Sequence, residues 1–195
     1  FPFPSVGATE NVLLTAVCAR GTTSIQNAAV EPEILDLARM LNSMGADVAC
    51  DPVARLITIR GVARLRGTTH RVLPDRNEAV SFAVAALATR GNVRIVGASA
   101  DDLAAFLLKA EAMGARISSE PGALVFSGAG TYRAVDVETA PHPGFMTAWP
   151  PPLAILMIAA TGTSTIHETV YEDRFGYVKD LRRMGADISV FDECG

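Results

Sequence analysis

Three apolar segments of similar length recur along the chain. They are ATENVLLTAVCA (8–19), EAVSFAVAALAT (78–89) and PPLAILMIAAT (151–161). Because each is apolar on nearly every side, each predicts a helix that is buried on most sides. Gly21, Gly91 and Gly162 follow them, and glycine's access to the left-handed conformation predicts that each helix stops there.

A second kind of helix follows each of the first. Apolar residues spaced by three and four give one stripe with charges opposite, which is typical of an amphipathic helix. The stripes are Ile34, Leu37, Leu41 and Met44; Leu103, Phe106, Ala110 and Met113; and Phe175, Val178, Leu181 and Met184. A glycine comes directly after the methionine each time, and we expect it to cap the helix.

Short β-rich runs separate these helices. They are TTSIQNA (22–28), NVRIVGA (92–98) and STIHETV (164–170), and ARLITIRGV (54–62) and GALVFSG (122–128) follow two of the amphipathic helices. Val, Ile, Thr and Phe between turn residues predict strands.

The two helix types recur with a fixed period, which predicts internal repeats. Met44 to Met113 spans 69 residues, and Met113 to Met184 spans 71. We predict three repeats, 1–65, 66–132 and 133–195. Each is a β-α-β-α-β-β unit in an inside-out α/β fold, with the helices buried centrally and the sheets outside. We expect one pseudo-threefold lobe; the alternative is a hinge near 72–76 that leaves repeat 1 apart, with its apolar helix open to self-association.

The composition narrows the class of partner. Of 195 residues 49% are hydrophobic and 19% charged, and the net charge is −4. This predicts a packed core and disfavours nucleic acid, so a small ligand or a protein is the expected partner. An anion site would need a local cluster of Arg or Lys.

The cysteines and histidines indicate no disulfide framework and no metal site, and the chain shows no targeting signal. Cys18, Cys50 and Cys194 fit neither a disulfide framework nor a zinc pattern. The three histidines are scattered (His70, His142 and His167), so we expect no metal and no cofactor. Without a membrane-length apolar run or a signal peptide, we expect a cytoplasmic protein. The chain starts without Met and stops abruptly, so we expect it to be a piece of a longer one.

Six stretches together resemble a known family. They are SVGATEN (5–11), EPEILDLARMLNSMGA (31–46), VLPDRNEA (72–79), TAPHPGFMT (139–147), ETVYEDRF (168–175) and LRRMGADI (181–188). They resemble UDP-N-acetylglucosamine 1-carboxyvinyltransferases, the enolpyruvyl transferases of peptidoglycan synthesis, within the EPSP synthase-like superfamily. The resemblance implies two lobes of three repeats with a cleft between them. This chain resembles the middle, with a crossover near Pro74 and Asp75.

The resemblance implies substrate contacts in the first repeat. Family members move the enolpyruvyl group of phosphoenolpyruvate onto a UDP-sugar hydroxyl, and Ser5, Val6 and Gly7 lie where they contact the nucleotide diphosphate. Free amides at a helix N-terminus suit an anion, although an ordinary helix start would read the same. Phe3 departs from the basic residue usual in the family.

The third repeat carries further implied contacts. Thr147, Val170 and Tyr171 resemble the positions that touch the uridine-sugar; the alternative is a plain strand end. Arg174 resembles the arginine that faces the phosphoenolpyruvate carboxylate, and the alternative is a surface salt bridge with Asp173 or Glu172.

The resemblance lacks two family features that catalysis would need, the aspartate at position 148 and the cysteine-bearing loop. Asp75 and Arg76 sit at the crossover, but we expect them to cap a helix rather than to catalyse. Ala148 stands where the family has an aspartate, its candidate base, and Pro150, Pro151 and Pro152 replace residues that include glutamine. The family's cysteine-bearing loop has no match either.

We therefore expect a segment of an enolpyruvyl transferase that is inactive alone. The alternatives are a non-catalytic nucleotide-sugar-binding or vestigial module of the same fold, and the shikimate branch of the superfamily.

Overall fold

The chain divides into two compact units, which we describe separately. The computed structural model describes residues 1–128 and 130–191, so Cys194 lies outside the described residues. Unit 1 is Phe1–Leu73 and unit 2 begins at Pro74. The boundary falls in the 72–76 segment named above as the alternative hinge. The closure of the three repeats into one lobe stays a prediction.

Unit 1 is a helix pair on a three-stranded antiparallel sheet. Its elements are α1 (Val6–Ala16), β1 (Thr22–Gln26), α2 (Pro32–Ser43), β2 (Asp47–Asp51) and β3 (Leu56–Arg60). The strand order is β1-β3-β2, with Ile57 opposite both Ile25 and Cys50. Ile57 and Ile59 point into a core that also holds Leu13, Ile34 and Leu41. The strand predicted within 54–62 is confirmed as β3 (Leu56–Arg60), and it lies at the centre of the sheet.

Unit 2 begins with the same arrangement. Its first elements are α3 (Arg76–Ala88), β4 (Asn92–Val96), α4 (Ala104–Met113), β5 (Arg116–Glu120) and β6 (Ala123–Ser127). The strand order β4-β6-β5 repeats that of unit 1, as the sequence period predicts.

The third repeat pairs its strands differently. Its first strand begins one residue before the predicted boundary at 133. The elements are β7 (Tyr132–Arg133), β8 (Asp136–Glu138), α5 (Pro150–Ile158), β9 (Ala160–Thr161), β10 (Thr165–His167) and α6 (Val178–Arg183). Two short parallel pairs form, β7 with β9 and β8 with β10. Helix α5 packs against α3 in one core, which Trp149, Phe106 and Phe126 fill.

The predicted opening strand is present only in the third repeat. β7 and β8 precede α5, whereas residues 1–5 and 61–75 contain no strand ahead of α1 and α3. Prolines occur in both stretches (Pro2, Pro4 and Pro74), and proline cannot donate to a ladder.

The Met-Gly phrase ends its helix as predicted. Gly45, Gly114 and Gly185 have φ of +97°, +101° and +96°, a conformation that side-chain-bearing residues rarely adopt. The prediction for the other glycines was wrong in detail. Helices α1 and α5 end at Ala16 and Ile158, several residues before Gly21 and Gly162. After α3 the left-handed residue is Arg90, with φ +57°, rather than Gly91.

The apolar helices are less buried than their sequences suggest. Leu14 on α1 is 54% exposed and Phe82 on α3 is 60% exposed. Each helix packs one face against its own unit, and these two side chains lie on the other face. Met184 belongs to the predicted apolar stripe of the last amphipathic helix, yet it is 83% exposed. Helix α6 has six residues, and no strand follows it up to residue 191. No helix in the described ranges has the length and apolar character needed to cross a bilayer.

Candidate functional site

The candidate residues of unit 1 form the start of α1. Ser5 is the N-cap, and its hydroxyl accepts from the amide of Ala8 at 3.3 Å. Val6 and Gly7 occupy the first turn, where amides have no acceptor within the helix. Thr9 is fully buried and binds the Ser5 carbonyl at 2.7 Å, which fixes this turn. The arrangement is a well-capped helix start, and it is compatible with both sequence interpretations.

The remaining candidate residues gather in unit 2 at the end of the β8–β10 pair. The two strands are parallel, with Glu138 opposite His167. The Thr139 amide extends the ladder by one bond, 2.9 Å long, to the His167 carbonyl. Thr139 and Glu168 therefore leave the same edge of the sheet side by side, although they are far apart in sequence.

Glu168 organises this edge. One carboxylate oxygen, Oε1, accepts from the Thr139 hydroxyl at 2.8 Å and from the amides of Val170 and Tyr171 at 2.8 and 3.1 Å. The other, Oε2, accepts from the Thr147 hydroxyl at 2.7 Å. Three of the predicted site residues are thus held by one carboxylate, that of Glu168, which was not among the predicted site residues.

Arg174 joins the same cluster. Its Nη2 donates to the Thr147 carbonyl at 3.2 Å, and its guanidinium lies 5.5 Å from the centre of the Tyr171 ring. Within the part of the chain that the structure describes, these contacts hold the Arg174 side chain, and it forms no ion pair with Asp173 or Glu172. Asp173 has φ +54°, so the loop turns sharply just before Arg174.

The loop before α5 carries Ala148 between Thr147 and a deeply buried tryptophan. Trp149 is 1% exposed and packs edge-on against Phe106 and Phe145. Pro150 begins the helix, where its missing amide costs no hydrogen bond. The prolines are therefore compatible with the fold, whereas the half-buried Ala148 methyl supplies neither a base nor a hydrogen bond.

Asp75 and Arg76 differ in role. Asp75 caps α3, as predicted, by accepting from the amides of Asn77 and Glu78. Arg76 does not act as a cap. It is buried, lies 5.6 Å from the centre of the Trp149 ring and donates to the Asp102 carbonyl at 3.3 Å.

The cluster shifts the acidity of two groups. Burial raises the pKa of Glu168, but the bonds from Thr147, Thr139 and the two amides outweigh it, so the pKa lies below its usual value. The carboxylate is therefore ionised at neutral pH. Burial and the nearby charge of Glu168 raise the pKa of Tyr177 to about 12. Its buried hydroxyl makes no hydrogen bond within the described chain.

One sequence signal could have located Glu168 and Thr139. The dipeptide Glu-Thr occurs at the end of both paired strands, with Glu138 as the last residue of β8 before Thr139, and Glu168-Thr169 directly after β10. The signal becomes specific only when the strands are known to be parallel, and the sequence pattern does not indicate that pairing. In residues 1–128 and 130–191, no three His, Cys, Asp or Glu side chains are grouped to hold a metal ion.

Comparison with known proteins places this geometry in context. The family profile described as EPSP synthase (3-phosphoshikimate 1-carboxyvinyltransferase) matches residues 1–194. A UDP-N-acetylglucosamine 1-carboxyvinyltransferase of Caldanaerobacter subterraneus is 47% identical over 96% of this chain and 45% of its own length. A protein of the same name from Protochlamydia amoebophila is 44% identical over 99% and 42%. The chain thus spans less than half the length of these relatives.

Solved structures give the same fold. The enolpyruvyl transferase NikO of Streptomyces tendae superimposes with a TM-score of 0.81 at 28% identity, over 95% of this chain and 44% of its own. An EPSP synthase of Acinetobacter baumannii matches with a TM-score of 0.61 at 23% identity, over 93% and 43%. The inside-out α/β fold predicted from the repeats is thereby confirmed.

Proposed function

The chain belongs to the EPSP synthase family, and we propose that it is part of an enolpyruvyl transferase that moves the enolpyruvyl group of phosphoenolpyruvate onto UDP-N-acetylglucosamine. The observation that supports this most is the cluster in which Glu168 and Arg174 hold Thr147, Val170 and Tyr171 together. The names of the curated relatives point to the same acceptor.

Each implied contact has suitable chemistry in this chain. The exposed Tyr171 ring and the Val170 side chain offer an apolar surface for a flat base or a sugar face. Arg174 is exposed, and a guanidinium has five N–H donors, so donation to one carbonyl leaves others for a carboxylate. At Ser5, Val6 and Gly7 the first turn of α1 offers amides to a diphosphate. Peptidoglycan synthesis and a cytoplasmic location belong to the same proposal.

Ala148 sets a limit on this activity. The reaction needs a base for the sugar hydroxyl, and a methyl group cannot accept a proton. We propose that this chain alone does not turn over. The same residue favours a second candidate, a non-catalytic module that binds the nucleotide sugar and does not transform it.

A ligand screen tests the proposed acceptor. Saturation-transfer NMR on the 195-residue chain would compare UDP-N-acetylglucosamine, shikimate-3-phosphate and phosphoenolpyruvate. We expect saturation to be transferred from the protein to the UDP-N-acetylglucosamine signals, which would show that this ligand binds. Binding of shikimate-3-phosphate in its place would move the chain to the shikimate branch. Phosphate release that depends on UDP-N-acetylglucosamine would contradict the proposed inactivity.

The variant Ala148→Asp tests the position of residue 148. A carboxylate there should bond the sugar hydroxyl and tighten UDP-N-acetylglucosamine binding by up to about tenfold, with UDP unchanged. Ala54→Asp, in an exposed turn of unit 1, adds the same charge elsewhere and serves as the control. If both ligands respond alike to Ala148→Asp, residue 148 does not face the sugar.

A further inference from the structure

The Thr147 hydroxyl has a defined hydrogen-bond direction. It lies 2.7 Å from Oε2 of Glu168, and an ionised carboxylate only accepts. The hydroxyl proton must therefore point at Glu168. The oxygen keeps its two lone pairs, and these are the only groups that it can offer to anything else.

Thr139 is a hydroxyl in the same cluster that both donates and accepts within the chain. Its proton also goes to Glu168, at 2.8 Å, and its oxygen accepts from the Thr169 amide at 2.8 Å. It is fully buried. Thr147 differs in both respects, because it is only half-buried and no donor reaches its oxygen from the described part of the chain.

The surroundings of Thr147 isolate this acceptor. Its backbone carbonyl is already bound by Arg174, and its neighbour Ala148 is apolar. Of the side chains of residues 147 and 148, that of Thr147 therefore offers the hydrogen-bonding atom at the candidate surface, its hydroxyl oxygen.

We infer that Glu168 is a positioning residue that makes Thr147 Oγ1 an acceptor for a hydroxyl or N–H donor of the bound sugar nucleotide. This inference rests on the proposed function, since it assigns a role within the same site. It predicts that the site prefers a ligand donor at this point over an acceptor, since an acceptor would face lone pairs.

Three variants separate this role from a merely structural one. Thr147→Val removes the acceptor and keeps the shape. Thr147→Ser keeps the hydroxyl and removes only the methyl group. Glu168→Gln keeps an oxygen for Thr139 and the two amides but turns an NH₂ donor toward Thr147, so the hydroxyl must accept there and point its proton at the ligand.

Calorimetric titration with UDP-N-acetylglucosamine would measure the affinity of each variant. Thr147→Val and Glu168→Gln should each weaken binding about tenfold, whereas Thr147→Ser should retain most of the affinity. The double variant should bind no more weakly than Thr147→Val alone, because both changes remove one interaction. Glu138→Gln, at an exposed site on the neighbouring strand, should bind like the unmodified chain.

The outcomes are distinguishable. If the unmodified chain binds and the two losses add, Glu168 acts through folding and the inference is wrong while the proposed function stands. If the unmodified chain binds no sugar nucleotide, both fail. A ligand-free readout, ¹³C NMR titration of the Glu168 carboxylate, checks the polarity itself. Its pKa should rise in Thr147→Val, and an unchanged or lower pKa would overturn the assignment of Thr147 as donor to Glu168.

Discussion

Asp36 in unit 1 and Glu168 in unit 2 are carboxylates that collect hydrogen bonds, yet their partners differ in kind. Asp36 accepts from the Arg39 guanidinium at 3.2 Å and from the Leu73 amide at 3.3 Å, and pairs with His70 Nε2 at 3.1 Å. These contacts fasten residues 70–73, which have no regular structure, to α2. Among the residues that the structure describes, Glu168 is bound by hydroxyls and amides alone.

The difference shows how one chemical group serves two purposes. The Arg39 guanidinium and the Leu73 amide N–H are donors without a lone pair, so neither offers an acceptor beyond the Asp36 cluster, and the His70 contact ties the irregular segment 70–73 to α2. A threonine that donates to Glu168 still has an acceptor to present, so that cluster continues to its surface. Asp36 is therefore a structural anchor, and Glu168 supports a candidate binding surface.

The largest expected effect is that of Asp36→Ala. Its side chain is 10% exposed, and its removal leaves His70 and the Leu73 amide without their acceptor. The free energy of unfolding should fall by about 2 kcal/mol, as measured by urea denaturation, and hydrogen exchange at Leu73 should accelerate. Asp47→Ala removes an exposed ion pair with Arg60 and should cost less than about 0.5 kcal/mol. Equal losses in the two variants would refute the anchor role.

Glu168→Ala should destabilise less, by about 1 kcal/mol. The Thr147 hydroxyl and the Tyr171 amide lie near the surface and can bond to water once the carboxylate is gone, although buried Thr139 cannot. Urea denaturation measures the loss, with Glu138→Ala as the control at an exposed glutamate. A loss larger than that of Asp36→Ala would make Glu168 primarily a stability residue.

The pH dependence of stability gives a further test of the Glu168 carboxylate. Burial raises the pKa of Glu168, but its hydrogen bonds bring it below the ordinary value of 4.5. A lowered folded pKa adds stability above the unfolded pKa, and this stability is lost as the pH falls through the folded value. Between about pH 6 and about pH 3.5, Glu168→Gln should lose less stability than the unmodified chain does. Urea midpoints at the two pH values check this, and equal losses would contradict it.

The local pattern predicted most of the framework. The apolar stripe through Phe106, Ala110 and Met113 is fully buried, and the glycines after the three methionines take the left-handed conformation. These features depend on neighbours a few residues apart. They were therefore readable from spacing alone.

The candidate site was only partly predictable, for a physical reason. Thr147, Val170, Tyr171 and Arg174 came from resemblance, and their assembly depends on Glu168, about twenty to thirty residues from its hydroxyl partners. That contact exists because β8 and β10 are parallel, and neither strand's own sequence specifies its partner. The roles of the site residues remain predictions.

The most direct test of the central claim is an NMR titration of the ¹⁵N-labelled chain with UDP-N-acetylglucosamine. We expect saturable shifts of the Thr147, Val170 and Tyr171 amides, and no shift of the His70 and Leu73 amides near the Asp36 anchor. Saturable binding whose shifts leave the Glu168 cluster untouched, or no binding at all, would contradict it.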